Sequence, residues 1–449
     1  LMPRCKCCSP NSTAGTRSST SSHEKALEPM QSRTRDYVVN AERIREELRA
    51  FARIGYRADG GMYRLAFSRA DRQARQRFVY QLRQLGLTVD VDAFGNVFGW
   101  LTDQAADPTL PPVLLGSHLD TVPGGGRFDG TAGVVAALEV VTVVREHGLR
   151  LTRPLGVVAF SCEESSRFGR GTLGSALVAG TVTPEEILDL RDSQGTTLRQ
   201  VLARSGLYPE LLATVRRPPG AFAAYLELHI EQGRVLESTG AVIGVVEAIA
   251  APTRLRVTVV GQADHAGATP MPLRRDALTG AAEIILAIER LALSHPGSVG
   301  TVGVVRVEPG AINVIPGRVE LGIDLRSADA GTKAALVTAV QQAIAVIARE
   351  RGLDVECAIL TDETPVPLAP ALIALLEQCA AARQLPYRRM ISGAGHDAMQ
   401  IAQICPAGMI LVPSRAGISH NPHEWTAPDD IAQGTQVLLD AALVLATSG

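Results

Sequence analysis

Four apolar runs in this chain each lead into side chains that can ligate a divalent cation. Val113-Leu114-Leu115 runs into Gly116-Ser117-His118-Leu119-Asp120, and a glycine-rich loop then delivers Asp129 and Gly130. Leu155-Gly156-Val157-Val158-Ala159-Phe160 is followed by Cys162-Glu163-Glu164, and Ala224-Tyr225-Leu226-Glu227-Leu228 by His229-Ile230-Glu231-Gln232-Gly233. The run at 408–412 precedes Gly417-Ile418-Ser419-His420-Asn421-Pro422-His423-Glu424-Trp425. The candidate ligands in order are His118, Asp129, Glu164, His229 and His420. Imidazole and carboxylate donors without cysteine suit Zn2+, Mn2+ or Co2+. Five donors exceed what a structural tetrahedral site uses. With Asp129 bridging they divide between two ions roughly 3.5–4 Å apart, as in two-metal hydrolases.

Neighbouring groups complete the chemistry. Asp120 shares the strand face of His118, so its carboxylate is expected to accept the other imidazole N–H and fix the tautomer. Glu163 and Glu164 diverge where a strand ends, so one can ligate while the other acts as general base and then acid. The residues alone leave open which does which. His423 lies three residues after His420 and competes with it as last ligand, and Arg127 has no assigned role. Gly169-Arg170-Gly171-Thr172-Leu173-Gly174 matches the dinucleotide fingerprint by letter. Two glutamates in the preceding turn would repel pyrophosphate, and no second strand ends in an acid about 20 residues on. No Gly-x-Ser-x-Gly elbow occurs, which argues against serine catalysis.

These groups need a scaffold that gathers strand ends at one edge. The apolar runs at 113–115, 155–160, 224–228 and 408–412 lack alternation, as do strands buried on both faces of a parallel sheet. Ligands bind at the carboxyl edge of such sheets. Helical spacing covers 37–57 and 69–85, a hairpin is expected over 87–100 with its turn at Gly95-Asn96, and residues 131–144 read as a core helix. Near residue 250 the character changes. Residues 254–259 and 318–326 alternate strictly, as strands with one solvated face do. Helices are expected over 277–293 and after Asp329, where Leu336, Val340, Ile344 and Ile347 form one stripe ending before Gly352. A strand over 355–360, a helix over 370–382 and a last helix from Pro428 follow.

The expected fold class is α/β. A catalytic domain with a mainly parallel sheet flanked by helices is interrupted by an inserted α+β domain with an antiparallel sheet and two helices. The boundaries read as 1–35 for a disordered N-terminal extension, 36–250 and 362–449 for the two parts of the catalytic domain, and 251–361 for the insert.

Composition limits the partners. Lys+Arg 44 against Asp+Glu 46 leaves a net charge of -2, which favours neither nucleic acid nor an anionic membrane. No run of eighteen apolar residues occurs, so no transmembrane helix is expected. Seven cysteines, an odd number, read as reduced thiols rather than a disulfide framework. Cys5, Cys7 and Cys8 form a cluster without a second ligand group at metal-site spacing. The first 35 residues lack the apolar core of a secretory signal, and a cytoplasmic location is expected.

The combined motifs carry a resemblance. His118-Leu119-Asp120-Thr121-Val122-Pro123-x-Gly-Gly-x-x-Asp129-Gly130, Glu163-Glu164-x-x-Arg167-Phe168, His229-Ile230-Glu231-Gln232-Gly233 and Ser392-Gly-Ala-Gly-His396-Asp397-Ala398 resemble the hydantoinase/carbamoylase family. That family holds N-carbamoyl-L-amino acid hydrolases, allantoate amidohydrolases and ureido-acid relatives, within the di-zinc aminoacylase and carboxypeptidase G superfamily. The match runs from about residue 40 to 445. The resemblance implies that the insert is a lid/dimerisation domain, with a homodimer formed through it, two divalent ions per subunit and a small ureido acid as substrate. It puts His118, Asp129, Glu164, His229 and His420 on metal positions and Glu163 on the general base. It also implies that His265 reaches a partner's active site to stabilise the oxyanion, and that Asn313 and Arg326 hold the substrate carboxylate. Gln232 and His396 match substrate-side positions. For Arg326 the residues leave a second reading, a strand-face pair with Asp324 or Glu320. Glu163-Glu164-Ser165-Ser166 stands where many allantoate-type members have Glu-Glu-Gly, which tilts the expected substrate toward N-carbamoyl-L-amino acids over allantoate or ureidoglycolate, with aminoacylase or peptidase activity behind.

Overall fold

The computed structural model describes residues 36–448. The expectations for residues 1–35, including the cysteine cluster, lie outside the described residues. In chain order the first strands are β1 (Thr88–Val91), β2 (Val97–Leu101), β3 (Val113–His118), β4 (Leu155–Phe160), β5 (Ala224–Ile230), β6 (Ile243–Ile249) and β7 (Ala251–Val260). There follow β8 (Asp264–His265), β9 (Ser298–Glu308), β10 (Val314–Ile315), β11 (Arg318–Ser327), β12 (Asp354–Asp362), β13 (Val366–Pro367), β14 (Tyr387–Ser392) and β15 (Ala407–Val412). The longer helices are α1 (Ala41–Ala52), α2 (Arg69–Gln84), α3 (Thr131–Glu146), α4 (Ala277–Ser294), α5 (Ala330–Glu350), α6 (Pro370–Ala382) and α7 (Pro428–Thr447).

Nine strands form the larger sheet, ordered β1-β2-β4-β3-β5-β15-β6-β13, with β14 beside β6. Its middle, β4-β3-β5-β15, is parallel throughout. Every residue of these four strands is buried, as required when helices cover both faces. Helix α3 is buried on nearly all sides and packs on β3, β4 and β5. Glycine is needed at one strand position: a Cβ on Gly116 would stand 2.0 Å from the Val158 carbonyl. The expected hairpin is the antiparallel β1–β2 pair, with Gly95 in the left-handed region at φ 89.

The second sheet, β12-β7-β11-β9, is wholly antiparallel. Leu255, Val257 and Val259 of β7 and Val319, Leu321, Ile323 and Leu325 of β11 turn inward against α4 and α5, forming a second apolar cluster. Asp276 and Asp329 cap those helices through main-chain N–H groups. Helix α5 alone among the described helices is long and apolar enough to cross a membrane. Its Leu336, Val340, Ile344 and Ala348 stripe is buried in that cluster. The chain is thus α/β, with a mainly parallel sheet flanked by helices and a separate antiparallel sheet carrying two helices.

Six strands were not expected from the sequence: β6, β9 and β14, and the two-residue β8, β10 and β13. β9 is an edge strand with solvent on most of its length, so no buried face imposes an alternation that could be read. β6 is a short apolar piece that periodicity alone does not separate from loop or helix, and its parallel partner β14 is mostly exposed and opens with Tyr387-Arg388-Arg389.

Candidate metal centre

The carboxyl ends of β3, β4, β5 and β15 lie side by side, and each contributes donors. At the end of β3, His118 is 2% exposed and its Nδ1 lies 3.0 Å from the main-chain oxygen of Asp120. A carbonyl only accepts, so Nδ1 donates to it and Nε2 is the nitrogen left facing Asp129. At the end of β5, His229 repeats the device, with Nδ1 2.9 Å from the Ile230 carbonyl. Two imidazoles are thereby turned with Nε2 toward the site by backbone alone.

Asp129 joins the set. Its Oδ1 lies 3.5 Å from His118 Nε2 and 3.1 Å from His229 Nε2. Its Oδ2 lies 3.2 Å from His420 Nε2, which is 3.4 Å from Glu164 Oε1. The donors therefore form two triads, His118/Asp129/His229 and Asp129/Glu164/His420, each within 4.8 Å. Asp129 belongs to both. His420 lies in one of the triads, whereas His423 is exposed and outside both. Gly130 makes the packing possible. It has φ 62, and a Cβ there would meet the His118 ring at 2.4 Å.

Asp120 does a different job from the one its spacing suggested. Its carboxylate is 3.9 Å from His118 Nδ1, while its two oxygens accept the N–H groups of Glu163 at 3.3 Å and Glu164 at 3.1 Å. The strand ends at His118, two residues short of Asp120, so the alternation that would have aimed Asp120 at the ring does not reach it. The fully buried carboxylate instead orients the turn after β4. From that turn Glu164 faces Asp129 and His420, and Glu163 Oε2 stands 3.6 Å from His118 Nε2, outside both triads.

Electrostatics match a site built for positive charge. Burial opposes ionisation of Asp129, yet the three imidazoles bonded to it hold the carboxyl well below the usual range. Burial pushes Glu163 well above its ordinary value and, with the charge of Asp129, lifts Glu164 to about 7. The Asp129 bond raises His420 to about 9. Crowded acids and imidazoles form a donor set that divalent cations fit.

The other expected residues are scattered. Gln232, at φ 58, donates from Nε2 to Asp129 Oδ2 at 2.8 Å. His396 is buried, packs edge-on against His229 with ring centroids 4.5 Å apart, and lies 2.7 Å from Ser392 Oγ. With Glu227 it makes a third possible donor group. The Glu227 oxygens are already taken by Ser117, Tyr225 and the Ala398 N–H, so that group is a hydrogen-bonded support. Arg326 grips Asp324 at 2.7 and 3.2 Å, the strand-face pair, and also donates to the Gly393 carbonyl at 2.8 Å. His265 and Asn313 are exposed in the β8–β10 region. His265 Nδ1 accepts the N–H groups of Gly267 and Ala268, which leaves its proton on Nε2. Arg127 lines a surface cavity of about 390 Å³ with Arg49, Ala52, Arg53 and Tyr56.

Sequence reasoning missed Glu424 and Ser419. Both lie beside Asp129, and only their position next to His420 hinted at it.

A model of peptidase family M20/M25/M40 matches residues 114–444, the span that holds every donor above. The chain belongs to that family, in its hydantoinase/carbamoylase branch. It is 42% identical over 414 residues to the N-carbamoyl-L-amino acid amidohydrolase of Geobacillus stearothermophilus, covering 91% of this chain and 99% of the relative. It is 40% identical over 385 residues to the ureidoglycolate hydrolase of Arabidopsis thaliana, covering 84% and 80%. The crystal structure of a hydantoinase/carbamoylase family amidase from Burkholderia multivorans superposes with a TM-score of 0.87 at 38% identity, over 92% of this chain and 99% of that one. This M20/M25/M40 member is accordingly a hydrolase, and the family's divalent-metal dependence agrees with its donor cluster.

Proposed function

We propose that the enzyme hydrolyses the ureido C–N bond of an N-carbamoyl-L-amino acid, giving the amino acid, CO2 and ammonia. The observation that carries this reading is the pair of donor triads sharing Asp129, with Glu163 beside them but in neither. The name of the Geobacillus relative supports the substrate class. His118, Asp129 and His229 would hold one ion, and Asp129, Glu164 and His420 the other, zinc, manganese or cobalt. Such ions supply Lewis acidity toward a carbonyl and make water acidic enough for a carboxylate to deprotonate.

Glu163 then takes the proton from the attacking water and returns it to the leaving nitrogen. Burial, which raises its proton affinity, suits it to both halves of that exchange. Gln232 and His396 border the substrate. Arg326 exchanges the Gly393 carbonyl for the substrate carboxylate, with Asp324 holding the guanidinium in place and Asn313 assisting.

Residues 251–361 act as lid and dimerisation domain. The exposed edge β9, with Val299, Val304 and Val305, and the exposed Leu286 and Leu293 of α4 offer a strand edge and helix face to a second copy. From that copy His265 donates Nε2–H to the developing oxyanion. Four described cysteines, Cys162, Cys357, Cys379 and Cys405, are free thiols, which suits the cytoplasm.

An ammonia-release screen over N-carbamoyl-L-amino acids, allantoate and ureidoglycolate tests the substrate. The Arabidopsis relative makes ureidoglycolate the runner-up. No ammonia from any of them, with metal bound, would sink the ureido reading. Glu163→Gln should abolish turnover while Zn2+ still binds; near-normal activity in that variant would remove Glu163 as the base.

A further inference from the structure

We propose that Glu424 is the positioning residue that sets Asp129 between the two donor triads. This rests on the reading of Asp129 as the shared ligand. Glu424 is 2% exposed, and its Oε1 accepts the main-chain N–H groups of Phe128 at 2.9 Å and Asp129 at 3.2 Å. Its Oε2 lies 2.9 Å from Ser419 Oγ, which in turn lies 3.1 Å from Asp129 Oδ2. One carboxylate therefore holds the ligand residue at its backbone, and the single Ser419 hydroxyl proton, within reach of both carboxylates, is donated to one of them.

The glycine loop is shaped around this contact. A Cβ on Gly126 would fall 2.0 Å from the Glu424 carboxyl. Phe128 and Trp425 meet edge to face with ring centroids 5.5 Å apart, bracketing the same junction. The segment after β15 that carries Glu424 also carries His420. Glu424 thus ties the loop bearing Asp129 to the loop bearing the imidazole on its far oxygen, and the spacing of the triads depends on that tie.

Substitution by Gln keeps the tie. Its oxygen can accept both N–H groups while its amide donates to Ser419, leaving the hydroxyl proton for Asp129. Substitution by Ala removes all of it. Zn2+ affinity of the full chain, measured by competition with a chromophoric chelator, should fall about 10–100-fold in Glu424→Ala and stay within about threefold in Glu424→Gln. Wild-type affinity in the Ala variant overturns the inference. Equal losses in both variants also overturn it, because charge and not position would then be at work.

If Glu424→Ala does not fold, Ser419→Ala decides, with about a tenfold loss expected and an unchanged affinity counting against the proposal. Asp129→Asn separates the two levels. If it binds Zn2+ as wild type does, the shared-ligand reading itself fails; if it loses affinity while Glu424→Ala does not, only the role of Glu424 falls.

Discussion

Replacing Asp120 with Asn tests which group orients which. The carboxylate is fully buried, accepts the N–H groups of Glu163 and Glu164, and has the Arg75 guanidinium 3.8 Å away. His118 bonds the main-chain carbonyl, which the substitution leaves in place. Asn keeps one acceptor but turns an amide donor toward the other N–H. Losing a hydrogen bond to a charged acceptor costs about 1.5–3 kcal/mol, with a similar range for leaving a buried donor unsatisfied. Burial raises the Asp120 carboxyl above its usual range, which trims the ionic part, so a loss of about 2 kcal/mol is expected. Expressed fully as misplacement of Glu163, that loss lowers kcat about 30-fold.

Urea unfolding of the metal-free protein and ammonia-release kinetics give the two numbers. Imidazole 15N NMR reports the His118 tautomer, which should keep its Nδ1 proton. A tautomer change in Asp120→Asn, or stability within about 0.5 kcal/mol of wild type, would refute the assignment of this carboxylate to the Glu163-Glu164 turn.

Two further outcomes follow from the same geometry. Gly130→Ala must place a side chain in a left-handed conformation, about 1–2 kcal/mol unfavourable, and displace the His118 ring from 2.4 Å. Zn2+ affinity should drop at least about tenfold with native circular dichroism, and unchanged affinity would show that the ring has room to move. Asp397 is fully buried, with Oδ1 bonded to Ser175 and Oδ2 without a partner. Burial and the charge of Glu227 push its carboxyl up to about 8, against about 3.9 when unfolded. A carboxyl raised in this way contributes stability that is complete below about pH 4 and lost as pH rises through about 8. Asp397→Asn removes that loss, so the metal-free Tm of wild type should decline relative to the variant between roughly pH 4 and 8 and no further above that. Parallel Tm profiles would place the proton elsewhere.

Much of this enzyme is written locally. Apolar runs without alternation at 113–115, 155–160 and 224–228 specified strands buried on both faces, and the strict alternation at 318–326 specified a one-sided sheet, because side-chain direction follows backbone period. Donors placed just past such strands gather at one edge, so His118, Asp129, His229, the Glu163-Glu164 pair and the His420/His423 pair were legible as candidates. The helix start after Asp329 was legible for the same local reason.

Tertiary structure decided what depends on residues far apart in sequence. The strand stops at His118, which frees Asp120 to bind the turn 43 and 44 residues on. Glu424 reaches Phe128 and Asp129 across 296 and 295 positions, and no periodicity relates residues at such a distance. The place of His420 in a triad with His423 outside it, the grip of Asp324 on Arg326 and the edge position of β9 all rest on which elements lie side by side. A sequence fixes the faces of each element through its period, but hydrogen bonds between loops depend on where the strand order sets those loops, and that order is a property of the packed whole.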